Sequence, residues 1–375
     1  MSNIFSFYNI YQAYKSCKKN KANSFGKLDF EDNLIPNLWN LKYELETQTY
    51  QISRYLTFFA HSPKTREIFA PAFRDRVIHH LLAPYLEKIF EPKFIFDVYN
   101  NRTNKGTHKA VERAKKFSRA VTDKNSGYYL QLDIKNFFYS IDKNTLYLFV
   151  HDEVQNSNKI DSQDKFSLLW LLYKIIFSEP TKNYFFKGDP KILKTLKKGK
   201  SLFTVEKNRG LPIGNLTSQH FANIYLNKFD NWLKRELKVK YYIRYVDDFV
   251  IFSKDRDKLK EFYKKIKLYL RENLKLELRN DTKLRETRQG LDFLGYIIRP
   301  NYILSRNRVI NNFNYKKAKF YDLNLKEQLE AEEKFSKVSD SFLGHLKHCD
   351  CTKLIKKENL RRIEYEKISF INRYL

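Results

Sequence analysis

The chain has 375 residues, of which 42% are hydrophobic, enough to bury a core with more than one lobe. Its formal net charge of +28 comes from 71 Lys and Arg against 43 Asp and Glu, and the cations are spread along the whole chain. This imbalance favours a polyanionic partner, most simply a nucleic acid, and exceeds what solubility alone requires.

Residues 1–60 are predicted to form basic helices. Leu38, Leu41 and Leu45 recur at helical spacing after Pro36, a residue favoured in the first turn of a helix. The basic and aromatic side chains near the N-terminus suit RNA, and a solvated basic helix explains them equally well. They are Tyr11, Tyr14, Lys15, Lys18, Lys19 and Lys21.

Residues 61–117 begin with a cluster of cations and continue into a predicted helix. The cluster contains Lys64, Arg66 and Arg74. The helix places Ile78, Leu82, Tyr85 and Ile89 on one face. The segment Val98-Tyr-Asn-Asn-Arg102 follows and leads to Gly106 and His108.

Residues 128–142 begin as a strand. Apolar residues alternate up to Leu132, and Asp133 stands at the end of the pattern. Ile134-Lys-Asn-Phe137-Phe138 comes next. A carboxylate at a strand end, followed by two rings, is the first candidate site along the chain.

Residues 143–238 contain two predicted helices separated by a basic loop. We expect a helix over Leu168 to Phe177 and a surface loop near nucleic acid over Lys187 to Lys207. The segment Arg209-Gly-Leu-Pro-Ile213-Gly214-Asn-Leu-Thr-Ser218-Gln219 then leads into a second helix. Thr217 or Ser218 is predicted to cap it.

Residues 241–252 read Tyr-Tyr-Ile-Arg-Tyr-Val-Asp-Asp-Phe-Val-Ile-Phe. Two runs of β-favouring residues flank Asp247 and Asp248, which predicts a tight hairpin with adjacent carboxylates at its tip. Such carboxylates repel each other and resist desolvation, so a cation is expected beside them. Mg²⁺ prefers oxygen ligands of this kind, although an acidic surface turn explains the pair equally well.

The remaining chain is predicted to be mostly helical and basic. A helix over 257–273 precedes a strand over Leu274 to Arg279, then Lys283 and Leu291-Asp-Phe293-Leu294-Gly295-Tyr296. Residues 300–375 read as helices near a nucleic-acid backbone. Zinc is the less favoured explanation of four neighbouring residues, because their spacing matches no common zinc finger. They are His345, His348, Cys349 and Cys351.

Several of these segments resemble motifs of reverse transcriptases, in the same order over roughly residues 60–300. Tyr245-Val-Asp-Asp248 resembles the YxDD box, Asp133–Phe138 the DIKxFF palm motif, and Phe293–Tyr296 the FLGY primer grip. A further family segment, of the form SYGFR…GxSxH, is matched in this chain by Arg102, Gly106 and His108. The rest of the segment Val98–Arg102 departs from that pattern.

The resemblance implies a right-hand polymerase fold of mixed α/β (α+β) type. It divides the chain into an N-terminal helical extension (1–60), fingers (61–127), a palm (128–300) and a helical thumb (301–375). The palm carries an insertion at about 143–209.

The resemblance also implies roles for individual residues. Asp133, Asp247 and Asp248, with the Ile134 carbonyl, would bind two Mg²⁺ ions, with Mn²⁺ as a substitute. The implied nucleotide-binding residues are Lys64, Arg66 and Arg74 at the triphosphate, Phe138 against the sugar 2′ position, Ile213, Gly214 and Gln219 near the templating base pair, and Lys283, which would protonate departing pyrophosphate. The implied primer grip is Phe293, Leu294, Gly295 and Tyr296.

Three positions depart from the common family pattern. Ile213 replaces the usual Gln, Gln219 the usual Pro, and Leu284 the usual Thr beside Lys283. The first two changes resemble the reverse transcriptases of diversity-generating retroelements and related bacterial groups, some of which act in antiviral defence.

The expected function is therefore RNA-directed DNA synthesis from dNTPs and a DNA primer, on a template that we expect to be a dedicated noncoding RNA. An accessory protein or an oligomer is expected because no fused nuclease, maturase or protease domain is recognised. Three cysteines, no signal peptide and no apolar stretch of transmembrane length predict a cytoplasmic protein without membrane attachment. The alternative is a non-catalytic RNA-binding scaffold on a polymerase fold.

Overall fold

A computed structural model of the protein describes residues 3–19, 23–60, 65–123, 127–356 and 358. The α-helices in chain order are α1 (Phe7–Lys18), α2 (Phe25–Asp32), α3 (Leu34–Glu46), α4 (Phe73–Phe90), α5 (Thr107–Val121), α6 (Phe137–Ser140), α7 (Lys143–Gln155), α8 (Ser162–Ile176), α9 (Leu216–Arg235), α10 (Arg256–Leu274), α11 (Asn307–Tyr321) and α12 (Leu325–Leu346). None of the helices in this part of the chain combines the length and apolarity that crossing a membrane requires.

Within the described residues the strands form three small sheets. In chain order they are β1 (Tyr55–Ala60), β2 (Arg66–Ala70), β3 (Tyr128–Asp133), β4 (Tyr184–Phe186), β5 (Tyr241–Tyr245), β6 (Asp248–Ser253), β7 (Lys283–Glu286), β8 (Leu291–Phe293), β9 (Tyr296–Ile298) and β10 (Ile303–Ser305). Their orders are β2-β1-β4, β5-β6-β3-β7 and β10-β9-β8. In the four-stranded sheet every neighbouring pair is antiparallel.

The four-stranded sheet lies between two layers of side chains. Residues that alternate along β3 and β6 point to opposite faces, so Leu130, Leu132, Phe249 and Ile251 join one large core. Tyr129, Val250 and Phe252 join a second core with apolar residues of α5 and the β8–β9 strands. The sheet is therefore packed on both faces, and this packing positions the end that carries Asp133 and Asp248.

Most predicted elements are confirmed. The described part of residues 1–60 contains the helices α1 to α3, although its last six residues form β1 and not a helix. The helices expected over Leu168–Phe177 and 257–273 are α8 and α10. Both chain segments around Asp247 and Asp248 are strands of one hairpin.

Two local predictions are wrong. The segment Leu274–Arg279 is not a strand: α10 continues to Leu274, Lys275 then adopts a left-handed conformation with φ 53°, and only Leu278 forms an isolated bridge, to Ile134. The N-cap of α9 is Asn215 rather than Thr217 or Ser218. The Thr217 hydroxyl instead lies 2.9 Å from His79 Nδ1 on α4, so a tertiary contact replaces the expected cap.

Candidate active site

Asp133 and Asp248 are direct partners across the antiparallel pair of β3 and β6. Asp247 is the second residue of the two-residue turn between β5 and β6 and comes directly before Asp248. The Asp247 carbonyl accepts a hydrogen bond from Ile134 N at 3.4 Å. The chain thus brings together, at one end of one sheet, the three carboxylates and the Ile134 backbone that the sequence singled out. Strand register is responsible, because a one-residue slip of β6 would turn Asp248 to the other face.

Burial and neighbouring negative charges raise the pKa of both carboxyl groups of the hairpin, Asp247 and Asp248. Burial, followed by the charge of Asp133, raises the pKa of Asp247 to about 6. Burial also raises the pKa of Asp248 to about 7; a hydrogen bond from Gln131 opposes the rise, and the charges of Asp133 and Asp247 add to it. A cation beside the three groups would stabilise their ionised forms.

The donor chemistry of this cluster fits a divalent cation, since carboxylate oxygens are the ligands that Mg²⁺ prefers. The side chains nevertheless have other partners in this structure. Asp133 Oδ2 lies 3.4 Å from Arg279 Nη1, and Asp248 Oδ1 accepts from Gln131 Nε2 at 3.2 Å. Among the described residues no three His, Cys, Asp or Glu side chains are already arranged as a metal site.

Gln131 is a site residue that sequence reasoning missed. Its amide group donates to the Asp248 carboxylate and also to the backbone carbonyl of Asp292, at 3.1 Å. Gln131 therefore links the acidic cluster to strand β8. The available signal was its position two residues before Asp133, since residues i and i+2 of a strand share a face.

The predicted cationic residues differ in their relation to the acidic cluster. Lys64 lies outside the described residues. Arg66 is exposed at the start of β2, and its positive charge opposes the rise in the pKa of Asp247. Lys283, the first residue of β7, lies opposite Gln131, and its charge opposes the rise in the pKa of Asp248. Arg74 on α4 is paired instead with Glu44, at 2.5 Å.

Phe138 and Gly214 lie on segments that are hydrogen-bonded together. Phe138 is half-buried in α6 and packs edge-to-face on Phe137, and its carbonyl accepts from Leu211 N at 2.8 Å. Gly214 has φ 127°, and a Cβ there would lie 2.6 Å from the carbonyl oxygen of Phe69, so only glycine fits.

The other two predicted residues of this segment, Ile213 and Gln219, are partly accessible. Ile213 is half-buried, and its carbonyl accepts from Phe69 N at 2.8 Å. Gln219 is half-buried near the start of α9. The β1–β2 strands and the start of α9 are therefore joined at Ile213 and Gly214.

The predicted primer-grip residues form the β8–β9 hairpin. Leu294 and Gly295 both have positive φ, 53° and 91°, the signature of a type I′ turn. Phe293 and Tyr296 are buried, and the Tyr296 hydroxyl donates to the His345 carbonyl at 3.0 Å. This bond ties the hairpin to the end of α12. His345 stacks on Tyr296, and His348 stacks on His108.

The family model described as "Reverse transcriptase (RNA-dependent DNA polymerase)" matches residues 61–298, more than half of the chain. The chain belongs to the reverse transcriptase family. It has the right-hand polymerase fold of mixed helix and sheet and is an RNA-directed DNA polymerase, a nucleotidyltransferase. Reverse transcriptases use RNA templates and nucleotides, and the family implies a divalent metal cofactor.

Individual relatives are distant. This reverse transcriptase is 23% identical to Protein YkfC of Escherichia coli (strain K12), over 70% of this chain and 71% of YkfC. It is 24% identical to the group II intron-encoded protein LtrA of Lactococcus lactis subsp. cremoris, over 77% of this chain and 54% of LtrA, so it spans about half the length of that relative. A solved telomerase from Candida albicans, in complex with a TWJ fragment of telomeric RNA, superposes with a TM-score of 0.47 at 12% identity, covering 85% of this chain and 59% of the telomerase chain.

Proposed function

We propose that the protein adds dNTPs to the 3′ end of a DNA primer on an RNA template, with Asp133, Asp247 and Asp248 holding two divalent cations, Mg²⁺ or Mn²⁺. The observation that carries the proposal is the pairing of Asp133 with Asp248 beside Asp247 at the adjoining turn. Divalent cations bound there would lower the pKa of the primer hydroxyl and balance the charge of the leaving pyrophosphate.

For four residues near the carboxylates we propose roles that suit their positions. Arg66, whose charge already acts on Asp247, neutralises the triphosphate of the incoming nucleotide. Lys283, close enough to act on Asp248, supplies a proton to departing pyrophosphate. Gly214 leaves room for the templating base pair, and the half-buried ring of Phe138 stands against the sugar 2′ position.

The proposed substrate preference follows from the same positions. A ring at Phe138 would collide with a ribose 2′-hydroxyl, which favours deoxynucleotides. The net charge of +28 supports an extended contact with a polyanion such as RNA. The resemblance to retroelement and defence-associated reverse transcriptases is the reason for proposing a dedicated noncoding RNA as the template.

The biological role is proposed from the Ile213-Gly214…Ser218-Gln219 variant. It supports a place in a diversity-generating retroelement or in antiphage defence, with an accessory protein or a second copy acting in trans. Sequencing the nucleic acid that copurifies with the protein tests this part, and a random sample of cellular RNA would contradict it.

Primer extension tests the reaction itself. The protein, a defined RNA template with an annealed DNA primer, four dNTPs and Mg²⁺ should give full-length DNA, and the product should disappear when EDTA is added. Asp257→Asn is a matched control, because Asp257 is an exposed carboxylate on α10. Tight RNA binding without any extension would contradict the proposal and favour a non-catalytic scaffold.

A further inference from the structure

Val246 adopts a strained conformation immediately before Asp247. It is the first of two residues in the turn between β5 and β6, and its φ is 59° while that of Asp247 is not positive. These are the φ signs of a type II′ turn, whose first position is normally glycine. A β-branched residue pays about 1–3 kcal/mol for such a conformation, so the surroundings must enforce it.

Two buried side chains hold the backbone of Val246. Its N–H donates to Asn100 Oδ1 at 2.9 Å, and its carbonyl accepts from Arg244 Nη1 at 2.9 Å. Both polar groups of the strained residue are therefore satisfied by side chains. Asn100 lies 146 residues away in the chain, so this contact is tertiary.

Arg244 is itself held in position by a buried carboxylate. Its guanidinium pairs with Asp230 of α9 at 2.5 Å, and both side chains are fully buried. The Tyr242 hydroxyl donates to the same carboxylate at 2.6 Å. Because desolvation offsets much of the attraction in a buried ion pair, we assign this pair a role in fixing the position of Arg244 and not in adding stability.

Asn100 belongs to the same network. It is 2% exposed, and its backbone carbonyl accepts from Asn223 Nδ2 at 2.9 Å, while Asn223 Oδ1 accepts from Arg244 Nη1 at 3.3 Å. The Asn100 Nδ2 group has no hydrogen-bond partner within the described ranges. The Asn100 side chain therefore contacts the turn only through Oδ1. Asn100 lies in the Val98–Arg102 segment, where the SYGFR pattern has a glycine at this position. Glycine has no side chain and could not accept this hydrogen bond.

We propose that Asn100 and Arg244 are positioning residues that clamp Val246 in its left-handed conformation and thereby aim Asp247 at Asp133. The conformational part stands on this network alone, and its consequence for catalysis rests on the proposed function. Without the acceptor on Asn100, Val246 relaxes toward negative φ, and the carboxylate that follows it turns away from the cluster.

Hydrogen exchange tests the clamp without any need for activity. Asn100→Leu keeps the approximate shape of the side chain and removes the acceptor, whereas Asn101→Gly changes an exposed neighbour with φ 47° that glycine tolerates. The amide of Val246 should exchange at least about tenfold faster in Asn100→Leu than in wild type, and at the wild-type rate in Asn101→Gly. Unchanged protection in a folded Asn100→Leu protein would overturn the proposal.

Single-nucleotide extension tests the consequence. Asn100→Leu should lower kcat about tenfold with little change in KM for dNTP, since the clamp orients a carboxylate and does not touch nucleotide. Val246→Gly should restore most of that loss in the double variant, because glycine adopts positive φ without strain. A loss of kcat that Val246→Gly does not relieve would overturn the clamp. An inactive wild type would instead count against the proposed function, and the exchange result would still decide the clamp.

Discussion

Asp133 on β3 and Asp248 on β6 occupy directly opposite positions of one antiparallel pair. We therefore expect Asp248→Asn to lower primer extension by at least about a hundredfold, because it removes a charge on which the reaction geometry depends. RNA binding, measured by filter retention, should stay within about twofold of wild type. Asp257→Asn should extend normally, and wild-type rates in Asp248→Asn would remove Asp248 from the mechanism.

The half-buried ring of Phe138 should select against ribonucleotides. In Phe138→Ala the ratio of rNTP to dNTP incorporation should rise by at least about tenfold, since the ring excludes by its bulk. Phe138→Tyr keeps that bulk and should behave as wild type in the same competition assay. If the alanine variant remains active with an unchanged ratio, Phe138 is a packing residue.

Ile213 offers no hydrogen-bonding group where the common family pattern has Gln. Its backbone carbonyl is held by Phe69 N, so Ile213→Gln should leave the main chain in place. One or two added hydrogen bonds to the nucleotide or template are worth about 1–3 kcal/mol, which predicts a roughly ten- to hundredfold lower error frequency on some template bases. Sequencing the products of wild type, Ile213→Gln and Ile213→Leu on one defined RNA measures this. Equal error spectra for all three would refute it.

The net charge of +28 predicts a steep salt dependence of RNA binding. Phosphate contacts release counterions, so affinity should fall by about a thousandfold or more between roughly 50 and 200 mM salt. RNAs of equal length and different sequence serve as controls for the slope. A flat plot of log affinity against log salt would show that phosphate contacts contribute little.

His79 makes stability sensitive to acid. Burial lowers the pKa of His79 to about 3. The unfolded chain therefore takes up this proton near pH 6.5 and the native protein only near pH 3, so the free energy of unfolding falls as the pH drops through that window. At about pH 5 the loss from this group is about 2 kcal/mol.

His79→Asn tests this by removing the titrating group while keeping a polar atom toward Thr217. Urea unfolding at about pH 7.5 and pH 5 should show a pH-dependent loss that is smaller in the variant by about 2 kcal/mol. His220 is also buried with a lowered pKa and remains in both proteins, so part of the acid sensitivity persists. An identical loss in wild type and variant would contradict the assignment to His79.

The sequence by itself determined the identity and order of the site segments. Strand β3 is readable because its apolar residues alternate, and the turn at Asp247 is readable because polar residues interrupt two β-favouring runs. Such patterns depend on neighbours a few residues apart. For the same reason the two local errors concern helix ends. No residue near Lys275 predicts a left-handed conformation after α10, and Thr217 contacts His79, 138 residues away, instead of capping α9.

Only the tertiary structure decided which side chains hold the acidic cluster in place. Arg279 and Asn100 carry no local signal of their roles, because each acts on a partner that is distant in the sequence and is brought close only by the fold. Strand register pairs Asp133 with Asp248. The buried ion pair between Asp230 of α9 and Arg244 of β5 supports the turn between β5 and β6. The strained conformation of Val246 shows the limit most directly. Valine disfavours positive φ in any local context, and the contacts that hold this conformation include Asn100, which lies 146 residues away in the chain.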